Sequence, residues 1–324
     1  MRRIPRLAAV AAATAALTVL AAGPASAVDP TVTDPHIVAH FDFAAGETPE
    51  NIALAPDGSA YLTFAYAHKV VRVGRDGSGP TDVATFPTVV DPTAAAVTGI
   101  VRAHDGTLYV NYATGTADEN GIWRIRPDGS APQRIVKVPM SGFPNGLALD
   151  EKCDTLYAAD SSRGRVWSAP VPAGDEEVEA TLWATGSALL PTQELPFGAN
   201  GLKIHDGAVW VSNTAHGTLL RIPIEKDRTA GPIETRATGL DGIDDFAFTG
   251  HGNTALAALN TQNKLELVRP DGTHKTVLTR ADGLDGPTSV AVRAKTLYVN
   301  SAAFFNTVDP DPNLLLARIS RNKL

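Results

Sequence analysis

The amino-acid sequence predicts an all-β fold, a six-bladed β-propeller with four strands per blade. A short motif recurs six times, with apolar cores Ile52-Ala53-Leu54, Ile100-Val101-Arg102, Leu147-Ala148-Leu149, Leu202-Lys203-Ile204, Phe246-Ala247-Phe248 and Val290-Ala291-Val292. Two places before these cores stand Glu50, Thr98, Asn145, Asn200, Asp244 and Thr288, at steps of 48, 47, 55, 44 and 44 residues. Strand-like runs, often punctuated by Asp-Gly, fill each interval, and six such units are the signature of propeller blades. After the N-terminal leader, no segment shows the apolar period of a helix.

Residues 1–27 read as that leader. Arg2, Arg3 and Arg6 precede an Ala/Val/Leu run and then Ala25-Ser26-Ala27, the plan of a secretory signal peptide cleaved near Ala27. The apolar run is too short to span a membrane. A secreted protein is expected, with residues 28–324 forming one propeller domain. Without the three leader arginines, 25 of the 28 basic residues face 35 acidic ones, a net charge of about −10. An acidic chain with no Lys/Arg cluster argues against nucleic acid or membrane partners. Cys153 is the single cysteine, so no internal disulfide can form and stability must come from the core or a bound ion. Its setting, DEKCDTLY, is turn-like and offers no base to make it a nucleophile.

The blades follow in order. Each core motif is a first strand, followed in three units by Asp57-Gly58, Asp105-Gly106 or Asp206-Gly207, strong hairpin signals between alternating apolar runs. Second strands read SAYLTF, TLYVNY, TLYAAD, AVWVSN, TALAALN and TLYVNS. Third strands read KVVRV, GIWRIR, RVWSAP, TLLRIPI, KLELVR and LLLARIS. Fourth strands close five units: DVATF, QRIVKV, VEATLWAT, IETRAT and HKTVLTR. The sixth unit has only three. Residues 36–43, HIVAHFDF, resemble the missing strand and are expected to pair onto blade six, closing the ring and protecting its edges.

In a propeller the first strand of each blade lines the central channel, so equivalent positions point at one spot on the axis. Glu50, Asn145, Asn200 and Asp244 are predicted to meet there, with Thr98 and Thr288 in the remaining places. Two carboxylates and two amide oxygens suit a hard divalent cation, with water and substrate completing about six to eight ligands. No His or Cys stands in the ring, which disfavours zinc and copper. Calcium (Ca2+) is the expected occupant. Asn111, Asp160, Asn213, Asn260 and Asn300 form a second polar ring at the second-strand ends. They either orient the cage or simply end strands well.

TPENIAL, FPNGLAL, ANGLKI and IDDFAF, as an ordered set, resemble the ligand motifs of calcium-dependent six-bladed propellers. These are the gluconolactonases of the senescence-marker-protein superfamily, diisopropylfluorophosphatase and the paraoxonases. The order Glu, Asn, Asn, Asp in blades one, three, four and five is nearer to the fluorophosphatase and paraoxonase plan. The gluconolactonase plan commonly has three ligands, with Asp where this chain has Asn200. Asn51 and Asp245 resemble the extra ligands of the paraoxonase site. The resemblance covers nearly all of residues 28–324. It implies metal-assisted hydrolysis of a lactone, ester or phosphoester, with Asp244 as general base or nucleophile on a small-molecule substrate. Some features depart from the pattern. Thr288 stands where the fluorophosphatase-like plan has a histidine, the paraoxonase histidine pair has no counterpart, and one cysteine excludes its disulfide.

His68 in FAYAHKV and His216 in SNTAHGTLL are the remaining acid–base candidates, in loops on the face of the ring. Phe64, Tyr66, Phe143, Phe197, Phe304 and Phe305 are candidate pocket walls, or pack loops together. Connections 113–120 and 189–197 are candidate lids. A monomer is expected. The competing function is a non-catalytic binding or scaffold propeller with a structural calcium.

Overall fold

Alternating apolar runs become strands, and each strand pairs with the next in the chain, so every blade is an antiparallel meander running outward from the axis. The computed structural model describes residues 29–89, 91, 95–116, 119–139 and 141–320. The leader, residues 1–27, lies outside them. The strands all belong to the unit Pro30–Arg321; of a second unit, Met1–Asp29 with Asn322–Leu324, only Asp29 is described.

The chain is a six-bladed β-propeller. The inner strands are Pro49–Leu54, Ala96–Arg102, Pro144–Asp150, Ala199–His205, Ile243–Phe248 and Pro287–Arg293. Among the described residues, helix is limited to single-turn 3-10 segments such as Ser187–Leu189. The Asp-Gly turns form for a visible reason. Asp57 Oδ1 accepts from Ser59 N at 2.9 Å, and Asp105 Oδ1 from Thr107 N at 2.8 Å. The glycines between them, Gly58 and Gly106, take φ of 88° and 100°, which a side chain would resist.

Blade six takes its outermost strand from the other end of the chain. Val32–His40 pairs antiparallel with Asn313–Ile319, from Val32 opposite Ile319 to His40 opposite Asn313. The strand begins at Val32 rather than His36. Beyond its end, Phe41 packs edge-on against Phe64 of blade one, ring centroids 4.9 Å apart.

The run VEATLWAT, expected as one strand, splits between two blades. Thr181–Thr185 is the fourth strand of blade three, but Val178–Glu179 pairs parallel with Val136 and Lys137 on the outer edge of blade two. Ala180 N donates to Lys137 O at 2.9 Å, and Arg134 Nε donates to Glu177 Oε1 at 2.9 Å. Apolar alternation marks a strand but does not say which blade captures it.

The core lies between facing blades. Val70, Val97, Ile100, Val110 and Tyr112 fill the layer between blades one and two. Val166, Leu202, Val209 and Val211 fill the layer between blades three and four. Leu62, Phe64, Tyr298, Leu314 and Leu316 fill the layer from blade six back to blade one. Each such side chain contributes about 1.5–3 kcal/mol by leaving water. The ring is therefore held through its sides, and the axis is free for polar residues.

Candidate metal centre

Every inner strand carries one extra residue near its start. In blade three Pro144 pairs with Asp160 and Leu147 with Ala158, so three steps on one strand match two on the other. The same irregularity falls between Pro49 and Ile52, Val97 and Ile100, Ala199 and Leu202, Ile243 and Phe246, and Pro287 and Ser289. A bulge bends the strand and re-aims its side chains. It falls on the very positions of Glu50, Thr98, Asn145, Asn200, Asp244 and Thr288.

Four of these six form a buried polar group. Asn200 Nδ2 donates to Asp244 Oδ1 at 2.8 Å and to Thr214 Oγ1 at 2.9 Å. Asn145 Nδ2 donates to Ser161 Oγ at 3.3 Å, and that hydroxyl donates to Ala199 O at 2.8 Å, beside Asn200. With both amide nitrogens so engaged, neither carbonyl oxygen receives a donor among the described residues. Glu50 Oε2 is buried without any partner. Thr98 and Thr288 behave differently. Thr98 Oγ1 donates to Pro144 O at 2.8 Å and Thr288 Oγ1 to Pro49 O at 2.7 Å, each stitching its blade to the next.

One residue further along, the bulge presents Asn51, Gly99, Gly146, Gly201, Asp245 and Ser289. Asn51 Nδ2 donates to Asp245 Oδ2 at 3.2 Å, Ser289 Oγ donates to the same oxygen at 2.8 Å, and Lys203 Nζ lies 2.6 Å from both oxygens. Asp245 is thus committed to protein donors, whereas Glu50 is not. Sequence reasoning passed over Lys203, although a signal was present. Its slot holds Ala53, Val101, Ala148, Ala247 and Ala291 in the other blades. Ser161, Thr214 and Ser289 were also passed over.

The second polar ring divides between its two expected roles. Asn260 Nδ2 donates to Asp244 Oδ2 at 3.1 Å, and Asn111 Nδ2 to Asn145 O at 2.7 Å, so both support the cage. Asp160 instead accepts from Phe143 N, Arg163 N and Trp167 Nε1, shaping its loop. Asn213 Nδ2 holds Ala188 O and Leu190 O, at the entry to the 189–197 connection. Both polar side-chain atoms of Asn300 are buried and unpartnered.

Burial, then the charges of Asp244 and Asp245, hold the Glu50 carboxyl well above the usual carboxylate range. Burial and the charge of Asp245 push Asp244 up to about 8, against the opposing donations of Asn260 and Asn200. Two buried carboxyls that resist ionising together, an orphaned oxygen and two unclaimed amide carbonyls fit a hard cation. Among the described residues no three His, Cys, Asp or Glu side chains cluster as metal holders, so the amides are essential to the set.

A pH dependence follows. Between the ordinary carboxylate range and about 8, the folded metal-free protein binds more protons than the unfolded chain. Stability is then full below the unfolded value and is lost as pH rises through the folded one. Chelator-treated protein is expected to melt lower at about pH 8.5 than at about pH 5.5, with a shallower decline in Glu50→Gln. Thermal melts that stay flat or rise over this window would overturn the electrostatic account.

The two candidate histidines have no hydrogen bond to this group. His68 is buried, its ring centroid 5.7 Å from that of Tyr112 and its Nε2 donating to Ala95 O at 3.1 Å in blade two. His216 is exposed, tied by its backbone N to Asn213 Oδ1 at 3.0 Å. Phe64 is core rather than pocket wall. Tyr66 packs tilted on Phe304 at 5.5 Å, and Phe143 edge-on to Phe197 at 5.9 Å. The Tyr66 phenol is raised by partial burial and then by the charge of Glu50, which places it within electrostatic reach of the ring. Phe305 is exposed. Of the candidate lids, residues 117–118 lie outside those described.

A concavity of about 850 Å3 opens at the other end of the inner strands, lined among others by Arg102, Asp150, Lys152, Asp206, Glu225 and Arg228. It contains none of the ring residues, and its charges are mixed, Arg228 pairing with Asp150 at 2.8 Å.

No known family model matches the chain, and no curated protein matches it. Solved structures do. The chain is similar to the PQQ-bound aldose sugar dehydrogenase of Streptomyces coelicolor, at 16% identity over 90% of this chain and 99% of that one, TM-score 0.64. It is similar to the calcium-binding protein regucalcin of Agrobacterium tumefaciens, at 13% identity over 88% and 93%, TM-score 0.63. A luciferin-regenerating enzyme matches at 12% identity over 90% and 95%, TM-score 0.63. What they share is the fold. These neighbours include gluconolactonase-like propellers, the group whose motifs the sequence resembles, and also a dehydrogenase. The fold alone therefore does not choose a chemistry.

Proposed function

We propose that this chain is an exported, calcium-dependent hydrolase of a small lactone, ester or phosphoester, working at the axial ring. The observation that carries the proposal is the ring itself: Glu50 and Asp244 buried together, with the carbonyl oxygens of Asn145 and Asn200 free of protein donors. These four would hold the ion. The description of regucalcin as calcium-binding supports the choice of metal. The chemistry such an ion supplies is charge, polarising a carbonyl or phosphoryl oxygen and stabilising the negative charge that develops there.

Asn200 and Asn260 each hold one oxygen of Asp244, which fixes the plane of its carboxylate. Asp244 would take the proton of an attacking water, or attack directly. The aromatic pairs Tyr66–Phe304 and Phe143–Phe197 would wall the mouth around an apolar substrate. Export with cleavage near Ala27 belongs to the same proposal, and N-terminal sequencing of secreted protein is expected to begin at about Val28.

The second function, a binding propeller with a structural calcium, is favoured by the two histidines having no bond to the ring. One experiment separates the two. Chelator-stripped protein is titrated with calcium in a calorimeter, then assayed with and without calcium on a panel of aryl esters and lactones. One-site binding with calcium-dependent turnover supports the hydrolase. Binding without turnover favours the scaffold, and no binding removes both.

A further inference from the structure

We infer that Lys203 sets the charge of the axial site: its ammonium, fixed on Asp245, leaves the buried group with two net negative charges and so tunes it to divalent over trivalent cations. The inference rests on the ring being a cation site, and it concerns a residue outside the four proposed ligands.

Lys203 stands mid-strand in blade four, in the slot that is Ala or Val in every other blade. Its Nζ lies 2.6 Å from both oxygens of Asp245, a side chain only 2% exposed. The same ammonium sits 5.7 Å from the ring centroid of Phe246, on the neighbouring blade, which adds a cation–π contact to its placement. Ser289 and Asn51 complete the shell of Asp245 Oδ2, so the pair is fixed from two blades besides its own two.

The adjoining residues explain why this matters. Asp244 is the chain neighbour of Asp245, and Glu50 is the neighbour of Asn51, so two of the four proposed ligands adjoin the Asn51–Asp245 contact. Glu50 and Asp244 belong to the proposed cage, Asp245 follows Asp244 directly in the chain, and Lys203 is bonded to Asp245. With the three carboxylates ionised around a bound cation, the charges sum to −2 with the ammonium and to −3 without it. A site of −2 is neutralised by a divalent ion, whereas −3 favours a trivalent ion of similar size. In a buried setting this difference is weakly screened.

The probes are calcium and terbium ions, each titrated into chelator-treated protein by calorimetry, and the readout is the ratio of terbium to calcium affinity. Lys203→Met is expected to raise that ratio at least about tenfold. Asp245→Asn, which leaves a net charge of −1, is expected to lower it and to weaken calcium binding. The double variant returns the site to −2, and its ratio should come back to within about twofold of wild type. Should Lys203→Met fail to fold, Asp245→Asn and the double variant decide the same question. A ratio unchanged in all variants, with only melting temperatures lowered, would show a purely structural ion pair and overturn the inference. Wild type that binds neither ion is a different result, one that removes the ring as a cation site altogether.

Discussion

Asp244→Asn is expected to lower calcium affinity ~100-fold or more, while raising the melting temperature of the metal-free protein at alkaline pH. The substitution keeps the shape and removes one of the two charges facing the ion. It also has a local cost. Asp244 accepts from Asn200 on one oxygen and from Asn260 on the other, and an amide can accept on only one. The lost donation costs about 1–3 kcal/mol. Set against it, at about pH 8.5 the metal-free wild type must ionise Asp244 beside Asp245 in a buried site, and the amide abolishes that penalty. At about pH 5.5 Asp244 is already protonated, so only the lost hydrogen bond remains and the variant should melt lower. The two melting curves therefore cross as pH is raised. Without a crossing, Asp244 is not the strained, buried carboxyl described here. Calcium at a hundred times its Kd should stabilise wild type by about 2.7 kcal/mol, about 4–5 °C for a chain of this size, and Asp244→Asn by about 0.4 kcal/mol or less.

Gly146→Ala should destabilise the propeller by about 3 kcal/mol, or about 5 °C, with no change of charge. A Cβ at this position would stand 2.5 Å from Leu202 N and 2.8 Å from the Gly201 carbonyl carbon. Both are backbone atoms of the next inner strand and cannot swing aside as a side chain would. The strand must move, carrying Asn200 with it, so calcium affinity falls as well. Gly79→Ala is the control. Nothing lies within 4 Å of its Cβ, and its effect should stay within about 0.5 kcal/mol. Equal melting temperatures for the two variants would mean that the inner strands are not so closely apposed.

The propeller was legible because a repeat multiplies a weak signal: six copies of a short apolar core fix a register that no single copy could. That register also placed Glu50, Asn145, Asn200 and Asp244 together. The bulge was not legible, because the extra residue precedes the apolar core and leaves its alternation intact. Lys203 was hidden for a related reason. A lysine within a strand looks like a solvent-facing residue until its partner is known, and Asp245 lies 42 residues away in another blade. His68 does lie in the expected loop between the second and third strands, but it is buried, its ring turned onto Tyr112. Phe64 misled in the same way, since a strand-end aromatic reads alike whether it faces a mouth or a neighbouring sheet.

The pairing of Val32–His40 with Asn313–Ile319 has a consequence for how the protein is made. Thr31 N and Ser320 Oγ, bonded at 3.0 Å, are 289 positions apart. As the chain is synthesised, the outermost strand of the final blade emerges long before its partner. The early strand must wait, exposed, while five blades assemble behind it. Blade six, once complete, sits between blades one and five, the homes of Glu50 and Asp244. A nascent or truncated chain lacking residues 313–319 would keep the two inner strands of blade six, Pro287–Arg293 and Thr296–Ser301, but leave Val32–His40 without its partner. The edge of the sheet would stay open until that strand arrives, the form most prone to pairing with another chain.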